Sequence, residues 1–278
     1  MTTWSGNISK MKAFAFPDGK VNYQLPIGDE LIEMNTLIGK NISVEYKGQI
    51  NCIHCSRKTN KSFSQGYCFV CMRGLAQCDT CIIKPELCHY SEGTCREPEW
   101  GEANCLQDHI VYLSNTGNVK VGITRHISDN VSSRWIDQGA TQALAILRVK
   151  ERLLSGLVET EISKFIGDKT NWRTMLKGKA KSLDLIEIRD EVLNKVDQKI
   201  SELQQQYGLQ ALQTIDTDVV EITYPVNKYP EKIKSINLDK DMTFSGELVG
   251  IKGQYLLLDQ ERVINVRKYA GYCVSLHA

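Results

Sequence analysis

Apolar and polar residues alternate at 21–25 and 42–46, the period of two that a half-buried strand requires. Breaker clusters at Pro17-Asp18-Gly19 and Gly28-Asp29 place turns between these runs. From 51 to 108 the periodicity fades into loop-like sequence. At His109 it returns as strand, turn, strand: 110–114 and 118–123 flank Asn115-Thr116-Gly117, which predicts a hairpin. A third strand is predicted at 144–149. The period then lengthens. Within 151–166, apolar residues at 154, 157, 158, 162, 165 and 166 share one helical face. A second helix opens at Asp184 with Glu187 three residues on, a capping-box spacing. It carries Leu193, Val196, Ile200, Leu203 and Tyr207 at alternating steps of three and four, a packing stripe, and stops at Gly208. Strands return at 218–223, 243–249, 253–258 and 263–266, punctuated by Pro225, Pro230 and Gly250.

This pattern predicts an α+β multidomain chain. Residues 1–50 form a small β unit and 51–108 a Cys-rich, zinc-ribbon-like module. Residues 109–181 form an α/β block, and 182–278 a long helix with a small C-terminal β-barrel or sheet. A length of 278 residues suits two or three small domains. Hydrophobic residues at 42% and charged residues at 24% exclude wholesale disorder. No run reaches the roughly 18 to 20 apolar residues of a membrane span. The first ten residues lack an apolar signal core, so a cytoplasmic location is expected. The net charge of +1 points to no partner, but its distribution does: 108–181 holds twelve Lys or Arg against seven Asp or Glu. A basic middle in a neutral chain suits phosphate recognition, hence DNA or RNA.

Nine of the ten cysteines lie between Cys52 and Cys105. Without a secretion signal, such clustering means metal ligands more often than disulfides. Cys52, Cys55, Cys68 and Cys71 form two knuckles with two residues between the thiols of each. That spacing lets four sulfurs close a tetrahedral shell about one zinc, a structural site with no open position. An iron–sulfur centre is the rival on ligand type. Cys78, Cys81, Cys88, Cys95 and Cys105, with His89, exceed the four ligands a second zinc wants. The residues alone favour Cys78 and Cys81 with Cys88 and Cys95. His54 and His89 read as neighbours of ligands, and Cys273 as a core residue.

The stretch Ile110-Val111-Tyr112, then Lys120-Val121-Gly122-Ile123-Thr124, Arg134-Trp135 and a helical Glu159 resembles the GIY-YIG nuclease superfamily over about 65 residues. More closely, the chain resembles a bacterial family with only a domain-of-unknown-function label. It does so through 85–90, 93–97, 109–113, 120–125, 134–140 and 168–172. The resemblance implies a nuclease block in which Tyr112 positions or activates the nucleophile and Arg134 offers a planar fork to the phosphate. It also implies that Glu159 holds a magnesium or manganese ion, that Asn171 closes the motif, and that Gly122 lets strand and backbone pack closely. It shifts the second zinc set to Cys81, Cys88, Cys95 and Cys105. Lys120 replaces the superfamily's second tyrosine, and a longer gap before Arg134 keeps Arg125 as a rival phosphate ligand. Helix geometry keeps Glu161, on the apolar stripe, as a rival to Glu159, whose neighbours Ser155 and Gly156 would leave open space. The expected activity is divalent-metal-dependent phosphodiester hydrolysis. The alternatives are a non-catalytic nucleic-acid binder on a degenerate platform and, third, a protein adaptor built on the zinc module.

Overall fold

The computed structural model describes residues 2–128, 130–167 and 169–278. The N-terminal segment supplies β1 (Thr3–Asn7), β2 (Lys12–Ala15), β3 (Val21–Ile27), β4 (Glu30–Glu33) and β5 (Asn41–Asn51). In β3 strict alternation turns Val21, Tyr23, Leu25 and Ile27 inward. A short β6 (Lys58–Thr59) leads into the cysteine-rich region, whose helices are α1 (Phe69–Gly74) and α2 (Pro98–Asn104). The central block holds the predicted hairpin, β7 (His109–Asn115) and β8 (Val119–Thr124), then α3 (Ser133–Asp137) and β9 (Gln142–Val149). Next come α4 (Arg152–Ile162), α5 (Trp172–Leu176) and α6 (Leu185–Tyr207). The Asp184 carboxylate caps α6 by accepting from the amides of Ile186 and Glu187, and Gly208, at φ 98°, ends it. The tail adds β10 (Leu212–Thr214), β11 (Val220–Glu221), β12 (Lys234–Ser235), β13 (Thr243–Lys252), β14 (Tyr255–Leu258), β15 (Arg262–Asn265) and β16 (Tyr272–His277).

The fold is α+β with three open sheets among the described residues. The largest runs β1-β16-β5-β13-β14-β15-β12, with β6 on β5. It differs from the expected pair of separate terminal β units: β5 lies between β16 and β13, so the two ends of the chain share one sheet. Strand patterning sets which face is buried and says nothing of which strand lies alongside, so sequence suggested two units. Of the two forms expected for the C-terminal strands, barrel or sheet, the structure has the open sheet. A three-stranded β2-β3-β4 sheet packs beside it, and Gln254 ties the two by bonding both the amide and the carbonyl of Met11.

The central sheet, β10-β9-β7-β8 with β11 on β9, has a core on each face. One face sends Tyr112 into the main core, where Trp135 and Ile136 of α3 meet Tyr23, Leu25 and Leu276 from the chain ends. The other buries Val111, Leu113 and Leu147 against Leu154 and Val158 of α4 and Val192, Val196 and Leu203 of α6. The predicted α6 stripe is therefore core at its centre, while Tyr207 reaches solvent.

Candidate active-site cleft and cysteine centres

A cleft of about 590 Å³ opens where the β7–β8 hairpin meets α3 and α4. Lys120, Gly122 and Arg125 from the hairpin, Arg134 from α3 and Glu159 from α4 all line it. The chain ends contribute Lys10 and Arg267, and the cysteine region contributes 82–86 as a wall. Eight Lys or Arg side chains line it against Glu86, Asp137 and Glu159, so the cleft is cationic. Arg134 is placed by Ser132, whose hydroxyl accepts the Arg134 amide and bonds Thr124 at the end of β8 at 2.8 Å.

Tyr112 stands behind this surface. It is fully buried, and its hydroxyl donates to Oε1 of Gln138 at 3.0 Å. Burial first, moderated by the nearby Arg134 guanidinium, pushes that hydroxyl up to about 12. A Cβ at Gly122 would lie 2.5 Å from the hydroxyl, so glycine there is what lets the phenol fit under β8. Tyr112 thus does not line the cleft itself and bears on it through cleft-lining neighbours such as Gln138 and Arg134. Asn171 is elsewhere: its Oδ1 caps α5 through the amides of Arg173 and Thr174, and α5 docks by stacking Trp172 on Tyr255, ring centres 5.6 Å apart. Asn171 does not line the cleft, because capping uses its side chain. Asp168 lies outside the described residues.

Glu159 faces the cleft, whereas Glu161 pairs with Lys164 at 2.5 Å. The space expected beside Ser155 and Gly156 is filled. A Cβ on Gly156 would sit 2.2 Å from the Glu86 nitrogen, so the small residue admits the 85–87 turn (Pro85–Leu87) instead of leaving room for a ligand. Arg152 reinforces that junction by donating to the carbonyls of Cys81 and Ile82. Arg125 is anchored on Asn104 of α2 and lies 6.0 Å from the Trp100 ring.

Among the cleft residues to which no sequence motif assigns a role are His109, Arg267 and Lys10. His109 donates Nδ1–H to the Gln107 carbonyl, 2.7 Å away, while its buried Nε2 has no partner among the described residues. Burial drops its pKa to about 4, so the imidazole is neutral at pH 7. Arg267 and Lys10 arrive from opposite chain ends, and no local spacing could signal their convergence.

Cys52, Cys55, Cys68 and Cys71 gather with all four sulfurs within 4.8 Å of one another and no disulfide. Cys55 and Cys68 sulfurs are 3.8 Å apart, the edge expected of a ZnS4 tetrahedron with bonds of about 2.3 Å. Burial first, then the three neighbouring sulfurs, pushes Cys71 up to about 12. Against its burial, the backbone amides of Cys55, Cys68 and His54 hold the Cys52 thiol down at about 6, and with four sulfurs so gathered this cluster could hold a zinc ion. Cys81, Cys88, Cys95 and Cys105 line one small cavity of about 10 Å³, from which Cys78 is absent. Asp79 and His89 line the same cavity and lie, with Cys81, within 4.8 Å of one another, but the Asp79 carboxylate is held by Arg96 at 2.6 Å. No helix among the described residues is long and apolar enough to cross a membrane.

Against this geometry, a family profile described as "Protein of unknown function (DUF2797)" matches residues 39–274, and the chain belongs to that family. No curated protein and no solved structure matches it.

Proposed function

We propose that this member of the family is a zinc-stabilised, GIY-YIG-like nuclease that hydrolyses phosphodiester bonds in DNA or RNA with a divalent metal. The observation that carries the reading is the convergence of Lys120, Arg125, Arg134 and Glu159 on one cationic cleft, although they come from three elements spread over forty residues of chain. Arg134 offers two parallel N–H donors to two phosphate oxygens and neutralises charge as it builds on them. Lys120 and Arg125 hold the flanking phosphates. Glu159, with Glu86 across the α4 junction, supplies the hard carboxylate oxygens that magnesium or manganese accepts, one or two carboxylates being the usual number. A bound divalent ion would supply Lewis acidity and lower the pKa of a water. Tyr112 is a positioning residue, since its hydroxyl orients Gln138 and sits beside Arg134.

We further propose a second structural zinc on Cys81, Cys88, Cys95 and Cys105, which line one small cavity. Its role is to brace the 82–86 wall.

The purified protein is expected to cut single- or double-stranded nucleic acid when given magnesium or manganese. Glu159→Gln is expected to abolish cutting while leaving the melting curve intact. A broad substrate panel left uncut, or cut equally by Glu159→Gln, ends the enzyme reading. One observation favours the non-catalytic binder: the Tyr112 hydroxyl is walled off behind Gly122. In that case affinity falls steeply with salt and no product forms.

A further inference from the structure

The cleft is not a closed end. Lys10 and Arg267 line it and also line a second cavity, of about 480 Å³, on the other side of their side chains. This groove runs from the cleft over the first cysteine knuckle, past Ile53, Gln65 and Tyr67, with Lys12 on its opposite bank. No Asp or Glu is among its lining residues, so its field has one sign.

Arg267 is the notable group. It follows β15, in a 3-10 turn (Val266–Tyr269), and is half-buried at the junction of the two cavities. Its guanidinium makes no hydrogen bond to any described residue, although it has five N–H donors. Asp137 provides long-range compensation, but that carboxylate is already engaged by Lys10 and by Gln254 at 2.8 Å. Arg134 faces Arg267 as a like charge. A half-buried cation that turns unused donors to both cavities, with a second cation nearby, is a seat that an anion would fill favourably. The lip of the groove carries a cost of its own. Ser64 and Gln65 hold φ of 44° and 65°, a left-handed backbone at two consecutive residues that are not glycine. Ile53 beside them is 46% exposed, an apolar surface with a phenol next to it.

We infer that this groove is a second phosphate-binding subsite, through which a single nucleic-acid strand leaving the cleft passes Arg267 and lies across the first cysteine knuckle. Arg267 and Lys10 grip the phosphate at the junction, Lys12 grips the next one outward, and Ile53 and Tyr67 give a base a flat apolar surface. The inference rests on the phosphodiester reading of the cleft, but not on cleavage.

The test uses the full-length, metal-replete protein in magnesium- and manganese-free buffer. Fluorescence anisotropy is read with a labelled 15-nucleotide single strand and a labelled trinucleotide, which can occupy only the cleft. For Lys12→Met, an exposed position, the ratio of 15-mer to trinucleotide affinity is expected to fall about tenfold, with the salt slope shallower by about 0.7. Arg267→Met, which keeps the buried stem, is expected to weaken both strands. If the wild type binds the 15-mer no better than the trinucleotide, the inference is overturned. It is equally overturned if Lys12→Met weakens both strands alike, or if neither variant changes the 15-mer. If the wild type binds neither strand at low salt, the phosphodiester reading of the cleft itself falls, a result distinct from the others.

Discussion

Tyr112 and Gly122 face each other across the β7–β8 ladder, and the absence of a side chain at one fixes what the other can do. A methyl group at 122 would meet the phenol oxygen at 2.5 Å, so Gly122→Ala is expected to cost about 1 to 3 kcal/mol in urea unfolding. Tyr112→Phe removes one buried hydrogen bond, expected to cost about 1 kcal/mol. On the proposed mechanism Arg134→Ala should lower kcat/KM by about 100-fold or more, since it touches the phosphate and Tyr112 does not. Lys252 gives a pH signature of its own. It is buried in the C-terminal sheet, donates to the Gly178 carbonyl at 2.9 Å and lies 5.5 and 5.4 Å from the rings of Tyr224 and Tyr229. Burial lowers its pKa from 10.5 to about 8. Between those values the unfolded chain holds the proton that the folded one has released, so this group makes stability rise with pH from about 8 to about 10.5. The gain approaches about 3 kcal/mol at the upper end. Urea midpoints of wild type and Lys252→Met at pH 7.5 and 10 should diverge accordingly. Parallel slopes would show that Lys252 carries its charge without penalty.

At the scale of elements, α4 joins the cysteine region to the central block. Gly156 gives way to Glu86, and Arg152 holds the carbonyls of Cys81 and Ile82. Gly156→Ala meets backbone that has no rotamer to change, so a loss of about 1 to 3 kcal/mol is expected, with weakened nucleic-acid binding as the wall withdraws. The helix was legible in the sequence, and of its two carboxylates Glu159 lines the cleft while Glu161 pairs with Lys164. What fills the space beside Gly156 was not legible, because a small residue signals close approach without saying of what. The cysteine knuckles were legible for the opposite reason: two thiols at a separation of three reach one ion using local chain alone. Cys52→Ser is expected to lower zinc content and to drop the melting temperature, as read by elemental analysis and circular dichroism. An unchanged zinc content would remove the first centre.

Over the whole molecule, the ends of the chain complete what the middle begins. Trp135 and Tyr112 are buried among residues of β3 and β16, and two cleft cations, Lys10 and Arg267, come from those ends. Residues 109–181 alone are therefore expected to show no cooperative melting, since half their apolar surface would lose its cover. A sharp transition in that fragment would mean the block folds by itself.

Sequence alone settled what depends on neighbours along the chain: the hairpin, the capped α6, the thiol knuckles and the basic middle. Each rests on a periodicity or spacing that a few residues can satisfy among themselves. Tertiary structure decided the pairing of β5 with β16 and β13, the retreat of Tyr112 from the surface and the diversion of Asn171 to a helix cap. It also decided the meeting of Lys10 with Arg267. Those outcomes depend on which surfaces exclude water together, and contacts between residues some 250 positions apart leave no trace in local pattern.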